Sequence, residues 1–199
     1  MRLNQLGWLA LLAGLAACGG PDIRAELPAS GRVVDSALPR EEALRRFRDG
    51  LPSVDTLSGG AESRDGLVAA FVRALAAADT TAIYRMAISR SEFAYLYYPT
   101  VAQGLPPYNL RPDLLWFTLT EHSNQGLGRA LKLYGGKPMT LVDYDCGKGQ
   151  QREGENTVYG PCVVRWRDAD GDTVAVRLFN QVLERGGRFK FLSYGNRLD

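Results

Sequence analysis

The chain has 199 residues, with 24 basic and 22 acidic side chains, one histidine and a formal net charge of +2. That balance excludes the basic footprint of a nucleic-acid binder, and no block of like charge points to a strongly charged partner. At 45% apolar residues, the chain is long enough for one domain with a real core plus a linker.

Arg2 is the only charged side chain before Asp22, and Leu6 to Ala17 is an unbroken run of twelve apolar or small residues. As a helix that run spans ~18 Å, at about 1.5 Å per residue, well short of a hydrocarbon core of roughly 30 Å. A basic start, a short apolar centre and small residues before a cut site predict a secretory signal over residues 1–17. Leu15-Ala16-Ala17-Cys18 resembles the bacterial lipobox. The resemblance implies that Cys18 is lipidated and becomes the first residue of the mature chain, anchored by several acyl chains where one would not suffice. Gly19, where an aspartate marks inner-membrane retention, resembles lipoproteins sorted to the outer membrane. The implied location is therefore the bacterial cell envelope, lipid-anchored and facing the periplasm, with the membrane as partner through Cys18. Cys146 and Cys162 then sit in an oxidising space.

Residues 18–62 read as the tether. Pro21, Pro28, Pro39 and Pro52 punctuate it, and Gly59-Gly60 lies near its end. Within it Pro39 can open a short helix whose apolar positions Leu44, Phe47 and Leu51 recur at three and four, which predicts docking on the domain. Arg45, Arg46 and Arg48 invite a lipid-headgroup reading, but residues 19–62 hold six basic against eight acidic side chains.

Residues 63–199 read as one domain. Ser63 caps a helix carrying Leu67, Phe71, Ala74, Leu75 and Ala78 on one face. Asp79-Thr80-Thr81 stops it and starts another with Ile83 and Met86 inward. Ser89 and Glu92 have capping-box spacing, and Pro99 ends the aromatic run Phe93, Tyr95, Leu96, Tyr98. Pro112 suits a first helical position for a segment that reaches Tyr134, weakened midway by Gly126 and Gly128 and closed by Gly135-Gly136.

From Met139 the period becomes two, and three hairpins share one register. Turns at residues 168–172 and at Gly186-Gly187 set Trp166 opposite Val174, Val164 opposite Val176, Cys162 opposite Leu178, Glu184 opposite Phe189 and Val182 opposite Phe191. A loop centred on Gly154 sets Cys146 opposite Cys162, Tyr144 opposite Val164 and Val142 opposite Trp166. One face comes out apolar. The reverse, with Asp143 opposite Arg165 and with Arg167, Arg177 and Lys190, reads as a solvated surface of cross-strand ion pairs. Facing cysteines on antiparallel strands lie within disulfide range, so a Cys146–Cys162 bridge is expected. Neither cysteine has a partner at metal-ligand spacing, and no Cys-x-x-Cys is present, so no metal and no cofactor is expected.

Helices first, then four strands of an antiparallel meander with helices on one side, make an α+β domain. This order, from the helix at Ser63 through the break at Asp79 to the closing strands, resembles the NTF2-like (SnoaL-like) superfamily, with a cystatin-like sheet-on-helix domain close behind. The resemblance implies a curved sheet around a cone-shaped pocket. It leaves function open, because such folds serve enzymes and non-catalytic modules alike. The inward face offers Tyr144, Asn180 and Ser193 as polar lining, with His122 from a helix and Trp116 and Trp166 as apolar walls. No phosphate loop, dinucleotide fingerprint or Gly-x-Ser-x-Gly is present. The expected function is a non-catalytic binding or assembly module for a small apolar ligand or an envelope protein. Two alternatives stand beside it. One is a small isomerase or hydrolase using His122 with Glu92 or Glu121. The other is an interaction platform with an exposed apolar patch around Tyr97 and Tyr98.

Overall fold

Helix gives way to sheet where the sequence period changes. The computed structural model describes residues 38–195; the expected signal segment, Cys18 and the expected tether as far as residue 37 lie outside the described residues. The short helix expected after Pro39 is α1 (Arg40–Arg48), with Ala43, Leu44 and Phe47 buried on its inner stripe. Ser63 caps α2 (Arg64–Ala76) by accepting from the Gly66 N–H, and Asp79 caps α3 (Thr80–Met86) by accepting from the Ala82 N–H. The reciprocal capping box of Ser89 and Glu92 opens α4 (Arg90–Glu92). α5 (Pro112–Tyr134) runs unbroken through Gly126 and Gly128 and ends before Gly135.

α4 continues as a π-helical turn over Phe93–Tyr97, in which the Tyr98 N–H donates to Phe93 O. That wide register, and the missing N–H of Pro99, deprive the Ala94 carbonyl of its usual donors. Side chains from elsewhere take their place. Arg48 Nε and Nη2 donate to Ala94 O at 3.2 and 2.9 Å, and Asn156 Nδ2 donates to Leu96 O at 2.7 Å. Arg40 serves Tyr98 O, Pro99 O and Gly104 O. The turn is thus held by α1 on one side and by the sheet on the other.

Alternation alone gives four strands; the antiparallel sheet has six. β1 (Thr140–Asp145) and β2 (Gln150–Glu153) form the outer row, and β3 (Asn156–Tyr159) and β4 (Cys162–Arg167) form the next. β5 (Thr173–Arg185) pairs with that second row along one edge and with β6 (Arg188–Tyr194) along the other. The outer two rows break at residues 146–149 and 160–161, where Pro161 offers no N–H to the ladder. The loop centred on Gly154 is a tight turn at φ +66°, which lets β2 and β3 extend the first hairpin to its tip.

The register of Tyr144 with Val164, Asp143 with Arg165, Trp166 with Val174, Val164 with Val176, Val182 with Phe191 and Glu184 with Phe189 holds. Two pairs shift. Leu141 rather than Val142 faces Trp166, and Phe179 rather than Leu178 faces Cys162. In each case a bulge inserts one residue, and at the first it turns Val142 outward, leaving it 49% exposed.

The expectation of helices on one side of the sheet needs a larger correction, because both faces are covered. On the inner face, α2, α3 and the end of α5 pack Leu67, Phe71, Leu75, Ile83, Leu127 and Ala130 on Val164, Trp166, Leu178, Val182 and Phe191. On the reverse face, α1 and the π-helical turn pack Leu44, Phe47, Phe93 and Leu96 on Val158, Leu183 and Leu192. Only the β1–β4 end of that face carries the expected solvated pair, Asp143 with Arg165. Lys190 is buried instead, with Nζ 2.8 Å from Glu92 Oε2 and 2.9 Å from Ser58 O.

The free edge of β6 is also covered. Ala61 exchanges two backbone hydrogen bonds with Phe189, the Ile88 N–H donates to Phe191 O, and Ser123 Oγ of α5 accepts from the Tyr194 N–H. α5 thus crosses this edge, its C-terminal part in the inner cluster and its N-terminal half against the reverse one.

Candidate functional site

Where α5 crosses the β6 edge, a cleft opens on each side of it. The first, of about 190 Å³, lies between α5, the π-helical turn and a bulge shared by β5 and β6. The bulge is what makes it polar. Successive strand residues normally face opposite ways, but the shift around Gln181 lets both Asn180 and Gln181 line one cleft. Asn180 Nδ2 is steadied by Tyr194 O at 3.3 Å. Gly160 makes room for the bulge, since a Cβ there would stand 2.0 Å from Asn180 O, and its φ is +136°. Ser193 and Gln103 add a hydroxyl and a third amide, α5 contributes Leu115, Thr118, Leu119 and His122, and Tyr97 closes the inner end.

Burial, with the Glu153 carboxylate nearby, pushes the Tyr97 phenol well up, so it stays a neutral hydrogen-bonding group. Glu153 is itself pushed up by burial, and its Oε2 is buried with no hydrogen-bond partner among the described residues. No Asp, Glu, Lys or Arg lines this cleft.

The second cleft, of about 170 Å³, is the aromatic one. Tyr84 of α3 and Ala87 and Ile88 just after it line one side, Trp116, Leu119, Thr120, Ser123 and Asn124 come from α5, and Leu192 and Tyr194 from β6. Trp116 is braced by the Phe93 ring at 5.1 Å.

Three of the pocket residues read from the sequence therefore meet: His122, Asn180 and Ser193 share the polar cleft. Trp116 stands across α5 in the aromatic one. Trp166 is fully buried in the inner core against Tyr134, with ring centroids 5.0 Å apart. Tyr144 lies at the start of α2, donating to Asp65 and accepting from Arg64 Nε. The six do not form one pocket, because the space under the inner face is filled: Phe71 alone contacts Phe179, Phe191 and Tyr194 at 6.1, 5.1 and 5.4 Å. Gln181 and Gln103 are lining residues that sequence reasoning misses. A bulge and a loop place them, and strict alternation registers neither.

The carboxylates paired with His122 in the enzymatic reading are engaged elsewhere. Glu92 is buried with Lys190, and Glu121 accepts from Gln125 at 2.8 Å. Burial pushes Glu92 up, but hydrogen bonds from Lys190, Ser89 and Ser58 outweigh it and hold the carboxyl below the usual range. Tyr97 and Tyr98 are 5% and 1% exposed, so the apolar patch read around them is not there. A run of exposed large apolar side chains lies further along, at Leu105, Tyr108, Leu114 and Phe117, with Tyr84, Leu133 and Val142 exposed elsewhere.

Two other clefts are lined by charged side chains that are already engaged. One, lined by Asp55, Glu155, Arg185 and Arg188, has Arg185 paired with Glu155. In the other, along α1, Arg40 and Arg48 are committed to backbone carbonyls and Arg45 to Glu42. The Sγ atoms of Cys146 and Cys162 are joined at 2.04 Å. Among the described residues no group of three or more His, Cys, Asp or Glu is placed to hold a metal, and no helix is long and apolar enough to cross a membrane. No family model, curated protein or solved structure matches the chain.

Proposed function

We propose that this chain is a lipid-anchored protein of the bacterial envelope whose domain is a non-catalytic binding module. The lipobox-like stretch before Cys18 supports the anchor. The observation that carries the binding reading is the convergence of His122, Asn180, Gln181 and Ser193 on one cleft whose lining can both donate and accept hydrogen bonds without carrying a carboxylate. The element order supports an NTF2-like arrangement in which the interior under the sheet is packed with aromatic side chains and the binding cleft is displaced to the α5–β6 edge.

The test is native mass spectrometry of the full chain purified from its own membrane fraction, compared with its denatured mass. The expected result is a stoichiometric small-molecule adduct that is lost in a His122→Ala/Asn180→Ala double variant of unchanged melting temperature. An adduct that survives in that variant places the ligand elsewhere and overturns the reading. Replacing Cys18 by Ser is expected to move the chain from the membrane fraction to the soluble one.

The exposed run of Leu105, Tyr108, Leu114 and Phe117 favours a second reading, an interaction platform at the start of α5. It predicts no adduct.

A further inference from the structure

The two clefts share one wall. Leu119 lines both, and from Asp113 to Gln125 α5 carries no fully buried side chain, although Leu127 and Ala130 just beyond are 1% and 0% exposed. The first half of α5 is therefore a lightly seated partition, resting on the sheet edge through Leu115, Trp116, Leu119 and the Ser123–Tyr194 hydrogen bond. At about 170 and 190 Å³ each cleft is smaller than the roughly 300–1,000 Å³ of ordinary ligand pockets, and joined they enter that range.

Their chemistry is shared and selective. Asp, Glu, Lys and Arg make up 23% of the chain, yet none of them lines either cleft. The two charged clefts elsewhere show that this surface is not generally poor in ions. An ionised ligand brought here would lose water and meet no Asp, Glu, Lys or Arg as counter-charge, which is costly. The two ends differ in a way a single ligand can use. Trp116, Ile88 and Leu192 offer an apolar slot, and Asn180, Gln181 and Ser193 offer paired donors and acceptors.

We infer that the two clefts are the halves of one site for an uncharged amphiphile, with its apolar part against Trp116, its hydroxyl-bearing part at Asn180 and Gln181, and Leu119 displaced between them. This rests on the binding reading above and adds the ligand class and the second half of the site.

The probe is n-hexyl β-D-glucoside below its critical micelle concentration, titrated into the full chain and followed by NMR at the Trp116 indole N–H and at the Asn180 and Gln181 side-chain amides. Both ends are expected to shift on one saturation curve. n-Hexyl phosphate is expected to bind at least tenfold more weakly. Leu119→Ala, which opens the partition, should tighten the glucoside several-fold. Leu119→Trp, which fills it, should abolish shifts at both ends, with its melting curve checking that it is folded. Shifts at the amides alone overturn the joined site and leave the polar cleft as the binding site. Shifts at neither end overturn both readings. Equal binding of the phosphate, or a Leu119→Trp variant that is folded and still binds, overturns the inference.

Discussion

Glu92 and Lys190 form the ion pair on which the reverse face depends, with side chains 1% and 4% exposed. Glu92 also accepts from the Ser58 and Ser89 N–H groups at 2.7 Å, so one carboxylate ties the 49–62 loop, the start of α4 and strand β6 together. Replacing Glu92 by Gln leaves the Lys190 ammonium buried without a counter-charge and is expected to cost about 3–5 kcal/mol, read as a fall in the urea midpoint. The pH dependence has a definite sign. Because the folded carboxyl titrates below its ordinary value, its contribution is fully present above about pH 4.3 and is lost as pH falls through the depressed folded value. The wild type should therefore lose stability on acidification and Glu92→Gln should lose less; parallel curves would sink this account. Gly160 gives a second test at this scale. A Cβ placed 2.0 Å from Asn180 O, at φ +136°, cannot be accommodated without moving the β5 bulge. Gly160→Ala is expected to destabilise by about 2–4 kcal/mol and to shift the Asn180 amide resonance; an unchanged melting temperature would refute the tight approach.

At the scale of elements, α1 braces the π-helical turn. Its Arg48 supplies hydrogen-bond donors to the π-helical turn and lies over the Tyr95 ring at 4.4 Å. Arg48→Ala is expected to cost about 2 kcal/mol and to speed amide exchange across residues 93–98, while Arg48→Lys, which keeps the charge but not the fork, should recover only part. Exchange unchanged in both variants would make α1 a passenger. The sequence shows α1 itself, because Leu44 and Phe47 recur at helical spacing. It shows the caps at Ser63, Asp79 and Ser89 for the same local reason. The arginines beside those apolar positions read as surface or headgroup contacts, since nothing local announces that a wide turn nearly fifty residues away will need donors. The sheet follows the same division. Alternation and turn glycines give the hairpins and most of the register. Bulges at Val142 and Asn180–Gln181 are single-residue slips that alternation cannot register, and the second of them assembles the polar cleft.

Across the whole molecule, Lys190 marks the limit of what alternation reveals. A lysine on the polar face of a strand reads as solvated, and only the packing of α1 and the π-helical turn makes it interior. The same packing removes the one-sided sheet and moves the candidate site from the filled interior to the β6 edge. The disulfide stands at the opposite edge, where the outer two rows both lapse between the β1–β4 pairing and the β2–β3 pairing. Closing residues separated by 16 in sequence is worth roughly 3 kcal/mol in the chain-entropy model. Reduction, or a Cys146→Ser/Cys162→Ser variant, is therefore expected to lower the unfolding free energy by about that amount. It should leave glucoside binding at the clefts within twofold, because the sheet between the two edges is held by its own ladders and by two packed faces. Loss of both stability and binding would mean that the two edges are coupled through the sheet, and that the bridge positions the site as well as stabilising the fold.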